Sequence, residues 1–165
     1  MNNFDFLLIS YLIICRIVEL LISRRNTTRL IKEGAKEFFP FHYKFLVLFH
    51  ITFITYFMIK SFDNIDLDYK YIFLFIFIQF VRFKIIFDLG KYWTTRIIVV
   101  EKKKLIKTGL YRFFRHPNYI VVFFEIILIC IIFNDYKALL YFSLINTILI
   151  FIRIYYEERA NKNRY

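Results

Sequence analysis

Five long apolar runs dominate this chain, at about 4–22, 45–62, 71–87, 118–133 and 138–156. Each approaches the roughly 20 residues that a helix needs to cross the hydrocarbon of a bilayer. Inside hydrocarbon every backbone N–H and C=O must be satisfied internally, so only helices or a closed barrel can span it. Runs of this length and apolarity read as membrane helices. The expectation is an all-α fold: a polytopic membrane helical bundle of about five transmembrane helices, forming a single domain over 1–165. Composition agrees, with 59% hydrophobic residues against about 45–50% in soluble domains. The fourth run is the weakest. Either aromatic and long basic side chains at its ends complete a span, or it is a re-entrant helix.

The basic residues set the expected orientation. Seventeen of the 24 Lys and Arg residues fall in the loops 23–44 and 88–116 and in the C-terminal tail. The opposite side carries Lys60, Lys70 and Lys137. This split predicts an outer N-terminus and a cytoplasmic C-terminus. The net charge of +11 is then read as attraction to anionic lipid. Nucleic acid is not an expected partner, because no soluble module carries the charge. Cys15 and Cys130 sit in apolar runs and read as buried, inert thiols. The first apolar stretch lacks the basic start and small-residue site of a cleavable signal peptide.

The outer connections are short and the inner ones long, so chemistry is expected on the inner side. There, Thr27 or Thr28 is expected to cap a short helix that Gly34 ends. Residues 96–100 read as a short extended piece, and Lys102, Lys103 and Lys104 follow it. Then comes Gly109–Tyr119, GLYRFFRHPNY. Pro117 fits the first turn of a helix, where its missing N–H costs nothing. Arg115 and His116 would then flank a helix N-terminus, with the free N–H groups of Asn118, Tyr119 and Ile120 pointing toward them as an anion site.

Charged residues within spans are costly and are paired or functional. Arg16 and Glu19 share a helix face and can pair. Glu125 lies two turns into the fourth run, where it either bonds across helices or contacts substrate. Asn146 is a second candidate for bonding between helices. The link at about 134–137 is short, so the fourth and fifth helices must be antiparallel neighbours. His116 and Arg115 are therefore expected to meet Arg153, Glu157 and Glu158. His42 and His50 read as satisfied or interfacial, and three scattered histidines make no metal set.

GLYRFFRHPNY followed by a hairpin ending RIYYEERA resembles the isoprenylcysteine carboxyl methyltransferase family, across roughly residues 89–160. The first half, with RIVELLISRRN and the His42-Tyr43 pair, is similar to its small five-helix bacterial branch. The resemblance implies an S-adenosylmethionine-dependent methyltransferase in a bacterial cytoplasmic membrane, its active site facing the cytoplasm. It implies that Tyr111, Arg115, His116, Pro117 and Tyr119 line the cofactor site and that Glu157 and Glu158 close it. Arg153 would stand between cofactor and acceptor, and Glu125 is a further candidate for the acceptor. A carboxylate acceptor needs no base; for a hydroxyl, His116 is the candidate base. The implied partner is a lipophilic small molecule or lipid, for example an alkylpyrone-like lipid or an isoprenylcysteine-like group. Leu110 and Asn118 stand where many members have Pro and Ser. The alternatives within the wider superfamily are a phospholipid N-methyltransferase and an NADPH-dependent lipid reductase. Outside it stands a small transporter or assembly protein.

Overall fold

The computed structural model describes residues 3–63, 66–101 and 105–162. Among these, five α-helices follow the five apolar runs: α1 (Asn3–Lys32), α2 (Pro40–Lys60), α3 (Ile72–Leu89), α4 (Pro117–Ile132) and α5 (Tyr136–Ala160). By length and composition α1, α2 and α5 can each cross a membrane, and α4 is a shorter apolar helix. With 18 residues, α3 would be about 27 Å long, but its second half carries Arg82, Lys84 and Asp88. The outer faces are apolar. Leu7, Ile14 and Leu21 are exposed at seven-residue spacing on α1, and Phe73, Phe80 and Phe87 on α3. Such stripes face lipid rather than water.

One apolar core joins α1, α2, α3, α4 and α5. It is built around Ile9, Phe53, Phe57, Phe75, Ile129 and Phe133. At the α4–α5 turn, Asp135 caps α5 by accepting from Ala138 N–H at 2.9 Å. It also accepts from Tyr56 at 2.7 Å and from Lys60, which ties α2 to this turn. Burial opposes its charge, but these donors outweigh that cost and hold its carboxyl at about 2.

At the other end, α1 runs ten residues past its apolar run. The sequence reading of a separate capped helix at Thr27 or Thr28 is corrected here. Both threonines lie within α1, and Thr28 Oγ1 donates back to the Arg24 carbonyl at 3.0 Å. Nothing in Ser23–Lys32 breaks a helix. The break comes at Gly34, whose φ of +87° suits only a residue without a β-carbon. The extension anchors the 90–95 segment: Asn26 donates to the carbonyls of Gly90 and Trp93, and Ser23 and Thr95 bond side chain to side chain. The extended piece expected at 96–100 is strand β2 (Ile97–Val99), antiparallel to β1 (Lys36–Phe38). Lys102, Lys103 and Lys104 lie outside the described residues.

Deeper in the bundle, four charges close a ring across three helices. Arg16 bonds Glu19 at 2.7 Å, the pair expected from their spacing, and also Glu125. Arg82 bonds the same two carboxylates, at 3.1 Å and 2.8 Å. Gln79 adds a 3.0 Å bond to Glu125. Two positive and two negative groups cancel, which is what makes their burial tolerable.

Candidate functional site

The site begins at a glycine. Gly109 has φ +56°, and a β-carbon there would sit 1.9 Å from Asp88 Oδ2. Its lack of a side chain thus lets the 109–112 turn press against the end of α3. The turn turns Tyr111 inward, while Phe113 and Phe114 stay exposed at 75% and 52%. Burial pushes the Tyr111 phenol up, and the charges of Glu157 and Asp88 push it further, so it stays neutral.

His116 occupies the N-cap of α4 and Pro117 its first turn, as the sequence predicts. One expectation is corrected. The Tyr119 N–H is not free for an anion, because it donates to the His116 carbonyl at 3.1 Å. The His116 ring stacks on that of Tyr119, with centroids 5.4 Å apart.

α5 meets this element from the side. The buried Tyr119 hydroxyl accepts from Arg153 Nε at 2.9 Å and donates to Glu157. The Arg153 guanidinium lies 5.6 Å from the Tyr119 ring centroid. Arg115 pairs with Glu158 at 3.1 Å. His116 Nε2 is 3.5 Å from Glu158, beyond hydrogen-bond length, and this buried nitrogen has no hydrogen-bond partner among the described residues. Polar contacts therefore stitch the start of α4 to the end of α5: Tyr119 with Arg153, Tyr119 with Glu157, and Arg115 with Glu158.

These groups surround a cavity of about 670 Å³. Tyr111, Arg115, His116, Tyr119, Arg153 and Glu157 line it. Pro117, buried at the helix start, and Glu158, its side chain 40% exposed, are not among the lining residues. Glu125 lies elsewhere. Its oxygens are taken by Arg16, Arg82 and Gln79, so of its two sequence readings the structure shows the bond across helices. It lines neither cavity described here. Trp93, Ile97 and Ile98 also line the large cavity, and sequence reasoning missed them. Trp93 reads in sequence as a boundary aromatic, and the strand pairing that brings β2 over the site is not a local signal.

A second, apolar crevice of about 430 Å³ opens between the start of α2 and α5. Its lining includes Phe39, His42, Phe45, Ile152 and Tyr156. Ile152 and Tyr156 directly adjoin Arg153 and Glu157 in α5, so the crevice and the large cavity flank neighbouring faces of one helix. Phe39 is held at φ +50°, a strained value for a bulky residue. Its ring stacks on Tyr156, with centroids 4.6 Å apart.

The volume suits a small-molecule cofactor. Its donor set suits S-adenosylmethionine: a guanidinium for a carboxylate, a carboxylate for an amine or ribose hydroxyls, and aromatic faces for a sulfonium. The unpartnered His116 Nε2 is one polar atom left for a ligand to satisfy.

Residues 71–162 match the isoprenylcysteine carboxyl methyltransferase (ICMT) family. The chain is also 36% identical over 160 residues to the "Uncharacterized protein YpbQ" of Bacillus subtilis (strain 168), covering 93% of this chain and 94% of that one. No solved structure shows significant similarity to it.

Proposed function

Because the chain belongs to the isoprenylcysteine carboxyl methyltransferase family, we propose that this integral membrane protein is an S-adenosylmethionine-dependent methyltransferase that O-methylates a lipophilic acceptor. The acceptor carries a carboxylate or a hydroxyl group. The observation that carries this reading is the stitching of α4's start to α5's end around the large cavity by Tyr119, Arg153, Glu157, Arg115 and Glu158. The basic inner loops support an outer N-terminus and a site on the cytoplasmic face of the cytoplasmic membrane.

When bound, S-adenosylmethionine supplies a methyl group on a sulfonium, ready for in-line displacement. The protein's part is then chiefly positioning. Arg115 meets the cofactor's carboxylate as a charge-assisted donor. Glu157 takes its amine or ribose hydroxyls. His116 and Arg153 already pack against the Tyr119 ring, so the Tyr111 ring is the one assigned to the sulfonium. Arg153 holds Tyr119 and stands between the cavity and the crevice, where it orients the acceptor's polar head. His116 presents its bare Nε2 inside the cavity as a cofactor contact. The acceptor's tail enters from the bilayer through the apolar crevice between α2 and α5.

The test is calorimetric binding of S-adenosylhomocysteine to the purified protein in lipid-supplemented detergent. Saturable binding by the wild type is expected, with loss in His116→Ala and Glu157→Ala variants that remain folded. Wild-type protein that is folded but does not bind, or that binds NADPH instead, overturns the reading. Transfer confined to a phospholipid amine would replace O- by N-methylation.

A further inference from the structure

His42 lies outside the cofactor cavity, in the first turn of α2. Its Nδ1 is 2.5 Å from the Phe39 carbonyl oxygen. A carbonyl only accepts, so Nδ1 must carry the proton. In the neutral ring Nε2 is then a bare acceptor. That Nε2 is buried and has no hydrogen-bond partner among the described residues, in a residue only 9% exposed. Its ring lines the apolar crevice and packs against Tyr156, with centroids 5.4 Å apart. The other named lining groups, Phe39, Phe45, Leu46 and Ile152, offer no side-chain acceptor. His50 differs: it lines neither cavity, and its Nδ1 engages the Leu46 carbonyl one turn back.

The backbone at Phe39 explains how the tautomer is fixed. This residue is forced to φ +50° and ψ +53° at the N-cap of α2. Strain held in place at a cleft is a reason to look for function there. Here it sets the carbonyl that locks His42. The His42 ring packs on Tyr156, the immediate neighbour of Glu157, so the imidazole sits beside the end of α5 that carries the site.

We propose that His42, rather than His116, receives the proton when a hydroxyl-bearing lipid is methylated. This rests on the methyltransferase reading above and assigns its base. His116 faces Glu158 on the cofactor side, whereas His42 faces the crevice through which an apolar acceptor arrives. In the step, the acceptor O–H gives its proton to Nε2. The oxygen forms its new bond to the methyl carbon as the carbon–sulfur bond breaks, leaving a neutral thioether. The His42 imidazolium afterwards returns the proton to water. Phe39 is a positioning residue that acts through His42.

The experiment uses the full-length protein and 2-dodecyl-4-nitrophenol, a lipophilic phenol whose ionised form is yellow. Without cofactor, the wild type is expected to bind the probe and shift it toward the yellow form. His42→Asn keeps an N–H for the Phe39 carbonyl but has no basic nitrogen, so the colour shift is lost while the protein remains folded. With S-adenosylmethionine, transfer to the phenol falls about 100-fold in His42→Asn and in His42→Phe, and S-adenosylhomocysteine binding is unchanged. A wild type that produces no colour shift, or a His42→Asn variant with wild-type shift and transfer, overturns the assignment. So does transfer by the wild type to long-chain carboxylic acids alone. Failure of the wild type to bind S-adenosylhomocysteine would instead strike the parent reading, because the colour assay needs no cofactor.

Discussion

Replacing Arg82 by Met keeps much of its length and removes one of four charges from the buried ring. In the native ring Arg82 bonds Glu19 at 3.1 Å and Glu125 at 2.8 Å. Its loss leaves two carboxylates with Arg16 as their remaining ring cation, a net charge of −1 in a site whose two carboxylates are nearly inaccessible. Glu125 is 1% exposed and Glu19 5%. Breaking a buried pair from one side costs about 3–5 kcal/mol. A second change, Glu125→Gln, restores neutrality and leaves the Arg16–Glu19 pair intact. The double variant is therefore predicted to be no less stable than Arg82→Met alone, a favourable coupling of at least about 2 kcal/mol. Equilibrium unfolding by steric trapping in bicelles measures all three variants on one scale. An Arg82→Met protein within about 1 kcal/mol of wild type, or strictly additive costs, would refute the argument that the ring is held by its own neutrality. The same samples report on Glu125 itself: affinity for S-adenosylhomocysteine should survive in the folded double variant, since Glu125 lines neither cavity.

Two further outcomes follow from the turns. Gly109→Ala should cost about 1–3 kcal/mol from the left-handed backbone alone. The new methyl must also displace Asp88, so S-adenosylhomocysteine binding should weaken; Asp88→Ala in the same chain should recover part of the unfolding midpoint. Asp135 is held at about 2 against an ordinary 3.8. A carboxyl lowered by folding stabilises the fold above its unfolded value and loses that contribution as pH falls. Stability should thus be flat above about pH 4 and drop by about 2 kcal/mol between about pH 4 and pH 2. Unfolding of Asp135→Asn followed across that window should lack this drop.

Much of the site was legible because one short connection did the work. The Asn134–Asp135 turn between α4 and α5 forces them to lie side by side, so residues near 116 and near 157 must meet. The Pro117 helix start and the Arg16–Glu19 pair are local features, and both stand in the structure. What the sequence hid depends on rotation and on distant partners. Gln79 and Arg82 are three apart on α3 and signal a polar face, but only the packed bundle aims that face at Glu19 and Glu125. The extended 96–100 piece was visible, whereas its partner Lys36–Phe38 was not, because strand pairing is non-local. Ser23–Lys32 reads as a polar loop, yet no residue in it stops a helix, and Ser23 and Asn26 use the extra turns to reach Thr95, Gly90 and Trp93. His42 looks ordinary in sequence; its bare nitrogen emerges only from the strained Phe39 beside it.

The short length of α4 has a further consequence. Sixteen residues rise about 24 Å, less than the roughly 30 Å of a typical hydrocarbon layer, while α1, with thirty, rises about 45 Å. With α4 as a span, a bundle of such unequal members would require the bilayer to thin beside the short helix. That thinning would fall at the helix whose first turn lines the large cavity. Under the proposed function, bilayer thickness then becomes a variable of the reaction: long-chain lipids work against the thinning, and short-chain lipids relieve it.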